Sequence, residues 1–359
     1  MVHKGFTGYG FRISAVFVIV AVVVVGGVFA DVAKSRRFFS DDSFWNQPIP
    51  ARPEIDPRSD HFISLLKKES SGHRFVINCN GFTVPVYQAD GSTPAYTVKE
   101  RGPLEAEKSG LDPKSRRYKR LSSLGHGPGF GKDVPIPDGA VPDPNSDAHI
   151  AIVDWNRMLC WDMFAAKKLP DGTWASYTGM VYRLDGTGVF KTEDFSVKNG
   201  DSIHFHGPGR AAGVPIIAGL IMYDEVKAGE IRHKIAAATR FNALKEFVFP
   251  ATWTDGHLPG GIPEGAVIQL DPNLDLGKFD MLPAERVVAK ALQKYGMVNV
   301  DNAGGSVLYA EGLYGHKRKS WDGILEKFGG IDSIPLDSYR VLKVGETVKL
   351  GDDKHGPPK

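Results

Sequence analysis

Glycine and proline interrupt this chain too often for long regular elements to form. There are 41 Gly and 24 Pro in 359 residues. Each Pro fixes a backbone dihedral and removes a donor, while each Gly adds backbone freedom that order must overcome. Between these breaks, apolar residues recur over short runs of strand length. Arg74–Asn78, Phe82–Tyr87, Asp201–His206, Ala243–Phe249 and Ala266–Leu270 read as strands. His149–Asp154, Met158–Ala166 and Thr173–Leu184 read as a three-stranded antiparallel meander, with a turn at Pro170-Asp171-Gly172. Met297–Asp301 and Ser306–Ala310 read as a hairpin around 302–305. Helical spacing is clear only over Pro283–Tyr295, where Val287, Val288, Ala291, Leu292 and Tyr295 recur and Gly296 provides the stop. Shorter helices are predicted over Asp60–Lys68 after Ser59, and from Asp224 to Lys227 before Gly229.

Strands do not alternate with helices, which excludes a doubly wound sheet or a (β/α) barrel. The expectation is a mainly β protein, with a single-domain antiparallel β-sandwich of jelly-roll kind and a few short helices over residues 61–350. Residues 31–60 read as an extended strap, residues 101–148 show little periodicity, and 351–359 read as a frayed polar tail.

Residues 13–30 carry no charge and follow Lys4 and Arg12, and Val28-Phe29-Ala30 completes a cleavage-site pattern. This is the order of a secretory signal peptide; an uncleaved membrane anchor is the rival reading. Both place the rest of the chain outside the cytoplasm. Without residues 1–30 the chain has 42 basic and 42 acidic residues, a balance that argues against nucleic acid as a partner. Cys79 and Cys160 are the only cysteines. Export permits a disulfide between them, and two buried free thiols are the alternative.

Three groups of residues could carry chemistry. In the meander, His149, Ala151 and Val153 share one strand face, and Cys160 and Asp162 share a face of the next strand. His149, Asp154 and Asp162 are therefore catalytic candidates around one groove, with Trp155 and Trp161 as aromatic platforms. His204 and His206 lie at i and i+2 on a strand, a metal-ligand spacing, and Arg210 after them could hold a carboxylate. The Glu of a cupin-like His-x-His site is missing, so His204 and His206 are taken as catalytic candidates, without a metal or other cofactor. Asp224-Glu225 with Glu230 and His233 form the third group, and Glu225 there is also an ordinary first-turn residue. The basic stretch 114–120 suits an acidic polysaccharide such as a uronate polymer. Motifs of serine-hydrolase elbows, P-loops, zincins and thioredoxin-like proteins are absent from the sequence.

Several segments are familiar as a set: Phe44-Trp-Asn-Gln-Pro-Ile-Pro50, Asp147-Ala-His149, Gly213–Leu220 with Asp224-Glu225 and Gly229–His233, and Ala291–Met297 with Asp301-Asn302. Together they resemble a largely uncharacterised family of exported bacterial and fungal proteins associated with polysaccharide breakdown. The resemblance implies export and a carbohydrate setting, and it transfers no catalytic residue. The functional expectation is an exported carbohydrate-active enzyme, a glycoside hydrolase or polysaccharide lyase, with a polysaccharide or oligosaccharide as partner. The alternatives are a non-catalytic glycan-binding or envelope protein, and a metal-dependent enzyme using His204 and His206.

Overall fold

The computed structural model describes residues 1–3, 5, 36–69, 74–199 and 202–350, with backbone alone at 116, 120, 196–199 and 202–204. The expected targeting segment and the tail 351–359 fall outside the described residues. Backbone contacts divide the chain into Met1–Lys34 and Ser35–Lys359, and all the described strands and helices belong to the second unit. Among the described residues, no helix is long and apolar enough to cross a membrane.

Strands hold 27% of the residues and helices 16%, so the protein is mainly β. Its larger sheet runs in the order Val76–Asn78, Val307–Tyr309, Ile235–Thr239, Met297–Asn302, Val267–Leu270, Tyr339–Val341. A second sheet runs Thr178–Arg183, Leu159–Phe164, Ile150–Asp154, Val84–Gln88, Glu311–Gly312. Both are mixed: Ile235–Thr239 is parallel to Met297–Asn302 but antiparallel to Val307–Tyr309, and Val84–Gln88 is parallel to Ile150–Asp154. A single antiparallel jelly-roll sandwich is therefore not what the pairings describe. The antiparallel meander itself is present, with Ala151 opposite Asp162 and Met180 opposite Asp162 on the other side, but its third strand is only Thr178–Arg183, since Trp174–Ser176 pairs with Val98–Glu100 and Lys167–Lys168 in a separate sheet.

Period-two alternation sorts the side chains into layers. From the strands of the larger sheet, Ile235, Ala237, Met297 and Leu308 enter a core that includes Val288 and Leu292 of helix Pro283–Lys294 and Phe62 and Leu66 of helix Ser59–Leu66. Ala236, Ala238, Val298 and Val300 enter a second core, shared with Val84, Ala151, Val153 and Cys160 of the other sheet. Ile150, Ile152, Trp161 and Met163 face away into a third core with Val98 and Trp174. Both large sheets are thus covered on two faces.

Several expectations are corrected locally. The hairpin of 297–301 with 306–310 is opened by Ile235–Thr239, which inserts between the two strands. That strand reads IAAAT and is buried throughout. Alanine is depleted in strands, so local propensity hides it, yet small side chains suit a crowded central position. Ser59 is not the N-cap: Arg58 is, and the Ser59 hydroxyl accepts from the Val341 amide at 3.0 Å, tying the helix to the sheet edge. The strap is fastened to the body, with Ile55 bridging Leu342 and buried Trp45 donating to the Gly188 carbonyl. Residues 101–148 contain two short helices, Arg101–Lys108 and Arg116–Leu121. Cys79 and Cys160 are buried, free thiols in separate cores, so no disulfide joins them.

Candidate functional site

A cavity of about 410 Å³ opens where the meander meets the larger sheet. Three loops and one strand end build it. The first loop, 143–149, is folded tightly: the Asp143 amide donates to the His149 carbonyl at 3.0 Å and the Ala148 amide to the Asn145 carbonyl at 3.1 Å. Ala148 takes a positive φ of 39°, an uncommon conformation for a residue with a Cβ. The residues on either side of it, Asp147 and His149, both line the cavity.

The second loop follows the strand Ser202–His206. Buried Asp162 fixes it by accepting from the Gly209 amide (3.2 Å), the Ile216 amide (3.1 Å) and the Tyr182 hydroxyl (3.0 Å). Gly209 is required by close approach, since a Cβ there would stand 2.7 Å from Ile216 Cγ2. The third segment is tied to the second: the Thr252 and Trp253 amides both donate to the Ala212 carbonyl, at 2.9 and 3.2 Å. This places Trp253 and Asp255 on the cavity wall, opposite the strand end that carries Asp301 and Asn302. Phe164, Tyr177 and Phe205 add aromatic surface, and exposed Arg117, from the basic stretch, also lines it.

Arg210 is the electrostatic centre. Its side chain is fully buried, lies 3.7 Å from the Tyr309 ring centroid and donates to Asp301 at 3.5 Å. Its Nε and Nη2 have no partner among the described residues; the same holds for His149 Nδ1, Thr178 Oγ1 and Asn302 Oδ1. Buried polar atoms normally find partners, so this many around one cavity mark it as a place built to receive polar groups.

The carboxyls here are tuned upward. Burial raises Asp301 to about 7, although Arg210 pulls it down. Burial also raises Asp147 against the pull of Arg210. Behind the wall, burial pushes Glu264 well above the usual carboxylate range, and Asp255 beside it adds to the effect. Burial raises Asp255 as well, and the charge of each carboxyl disfavours ionisation of the other. Asn242 completes the support, donating to Glu264 at 3.0 Å and to the Asp301 carbonyl at 2.7 Å. His149 is fully enclosed, and burial followed by the Arg210 charge lowers it to about 3. It is therefore a neutral imidazole whose Nε2 contacts the Gly209 carbonyl at 3.1 Å.

The residues singled out from the sequence take different places. His149 and Arg210 meet in the cavity. Arg210 does so as a buried charge behind the carboxylates rather than as an exposed anion clamp. Asp162 lies under the cavity and holds the loop. Asp154 is a turn residue, accepting from the Asn156 and Arg157 amides and paired with the Arg157 guanidinium at 2.7 Å. Trp161 is buried in the third core, and Trp155 stacks on Phe38 at 5.6 Å, so neither is a platform in the cavity. His206 packs against Gly125, where an added Cβ would meet the His206 ring at 2.6 Å, and it does not line the cavity. The side chain of His204 lies outside the described residues. Among the described residues no group of three or more His, Cys, Asp or Glu could hold a metal ion. Glu225 and His233 form a buried pair at 2.9 Å away from the cavity.

Sequence reasoning missed Asp255 and Asp301 as a pair. Asp301 ends a run otherwise rich in buried apolar residues, and that placement was the available signal; Asp255 sits in an unremarkable Thr-Asp-Gly turn. Compared with known proteins, the chain matches no family model, no curated protein and no solved structure.

Proposed function

We propose that this chain is an exported carbohydrate-active enzyme that cleaves a polysaccharide by glycoside hydrolysis at the Asp255–Asp301 cavity. The observation that carries the reading is the pair itself: Asp255 and Asp301 line one cavity, and burial raises both, Asp301 to about 7, so that a proton is held there near neutral pH. Two carboxyls that share a proton about one cavity are what hydrolysis of a glycosidic bond uses, one giving the proton and the other taking it from water. Asp301 gives its proton to the leaving glycosidic oxygen as the C–O bond breaks. Asp255 assists the incoming water, whose oxygen bonds to the anomeric carbon and whose proton returns to the carboxylate. Trp253, Phe164 and Tyr177 offer ring faces to the apolar side of a sugar.

A lyase reaction is the second reading, and neutral His149 with its unpartnered Nδ1 favours it. There the base removes the proton next to the uronate carboxyl, the glycosidic bond breaks, and a double bond forms without water. A panel of xylan, mannan, polygalacturonate and alginate, read by reducing ends and by absorbance of the unsaturated uronate, separates the two. Hydrolysis predicts reducing ends without that absorbance, and at least a hundredfold loss of kcat in Asp301→Asn and Asp255→Asn at unchanged melting temperature. Full activity in Asp301→Asn overturns the assignment, and glycan retention without product points to a binding protein instead.

A further inference from the structure

A second cavity, of about 500 Å³, shares Asp147 and Asn302 with the first. Each volume falls within the roughly 300–1,000 Å³ that encloses a small ligand. Two such spaces that meet at shared wall residues give room for more sugar than a single monosaccharide fills.

The second cavity has its own recognition chemistry. Phe82 and Phe328, 41% and 56% exposed, line it, with Lys327 Nζ 5.3 Å from the Phe328 ring centroid. Phe82 has a φ of +52°, strained for an aromatic residue. Its amide is held by the side chain of Asn145, in the loop that also supplies Asp147. Polar atoms face the same space. Glu69 and Ser306 are buried, and Glu69 Oε2 and Ser306 Oγ, like Asn302 Oδ1, have no partner among the described residues. The floor is thinned by glycine: a Cβ on Gly304 would meet nothing within 4 Å, and one on Gly305 would come only to 3.7 Å from Glu69 Oε2. Ring faces combined with buried hydroxyl and carboxyl acceptors suit a sugar.

Charge bears on the polymer. Arg74 and Lys327 line the second cavity and Arg117 lines the first; of the carboxyls there, Glu69 is paired with Arg240 at 3.3 Å, and burial raises Asp147, Asp255 and Asp301 toward the neutral form. From these placements we infer that the second cavity is a subsite for neighbouring sugars of the same chain, and that the protein acts internally on a uronate-bearing polysaccharide. The inference rests on the hydrolytic reading of the first cavity and extends it.

The test uses the full chain with polygalacturonate and alginate as acidic probes and arabinoxylan as the neutral one. Internal action on an acidic polymer makes viscosity fall well before reducing ends accumulate. Phe82→Ala/Phe328→Ala raises KM for the polymer about tenfold with kcat changed less than twofold, and the penalty shrinks as the chains are shortened. Lys327→Gln weakens retention in gels containing the acidic probe about threefold, an effect that salt abolishes. Both phenylalanines are well exposed, so their truncation preserves the fold, and melting curves check this. Wild-type KM and wild-type product sizes in the double variant overturn the subsite, as does retention by arabinoxylan alone. Retention is also measured on Asp301→Asn, which separates binding from cleavage. If no probe is cleaved but the double variant loses retention, the subsite stands and the hydrolytic reading fails. If no probe is cleaved or retained, both fail.

Discussion

Asp162→Asn removes half of the support under the 208–216 loop while leaving the volume of the side chain unchanged. In the native protein one carboxyl oxygen accepts from the Gly209 amide, and the other accepts from the Ile216 amide and the Tyr182 hydroxyl. An amide nitrogen has no lone pair to offer. Whichever way the new side chain is turned, one backbone N–H, that of Gly209 or of Ile216, faces a donor in a fully buried setting. A buried donor left without an acceptor costs about 1–3 kcal/mol. For a body of this size each kcal/mol lowers the melting midpoint by about 2 °C, so the expected fall is about 2–6 °C. Asp162→Ala orphans both amides and should cost about twice as much. Because Gly209 also contacts His149 and adjoins Arg210, both variants should lower kcat/KM as well as stability. Differential scanning calorimetry of the three proteins above pH 8 is the assay, because burial raises Asp162 to about 7 and the comparison needs its ionised form. If Asp162→Asn melts within about 1 °C of wild type, and Asp162→Ala is no worse, the loop is held by something other than this carboxyl.

Other outcomes come from the same geometry. Hydrolysis should decline as pH rises through about 7, because Asp301 is active with its proton on and burial places its loss there; a kcat profile flat from pH 6 to 9 contradicts its role as the acid. Burial raises Cys79 to about 11 and Cys160 well above the usual thiol range, so an aromatic disulfide reagent should label neither in the native protein and both in urea, and a native disulfide seen by mass spectrometry counters this. Gly265→Ala should cost more than about 3 kcal/mol, since φ is +93° and the new Cβ would lie 1.8 Å from the Val248 carbonyl oxygen. Gly172→Ala, at φ +82° with nothing within 4 Å, should cost about 1 kcal/mol. Urea titration of the two variants tests the contrast.

The elements that could be read locally share a property: their own residues contain the instruction. The 150–183 meander has alternating apolar positions and pairs antiparallel as expected, while the Pro-Asp-Gly turn joins Lys167–Lys168 to Trp174–Ser176 in a separate small sheet. Helix Pro283–Lys294 has its Pro, its Glu285 and its following glycine, and Glu285 accepts from the Leu282 amide at 3.0 Å. Ile235–Thr239 lacked such a signal, because three alanines become a strand only when two neighbours stand ready to pair with them. The same logic separated the polar candidates. Asp154 and Asp162 look alike in sequence, each a carboxylate among apolar strand residues. One caps a turn and the other pins a loop from below, and only the positions of the Gly209 and Ile216 amides distinguish them.

Periodicity and turn chemistry therefore determined that this chain would be mainly β and where its best helix would run, whereas the face of Ala151 and Val153, expected to border a groove, is buried in a second core. Tertiary structure decided the mixed order of the strands, the separation of the two cysteines, and the meeting of Asp147, Arg210, Asp255 and Asp301 at one cavity. The reason is the range of the forces involved. Alternation and capping act between residues a few positions apart, whereas the protonation of Asp301 is set by burial and by a guanidinium 91 positions away along the chain.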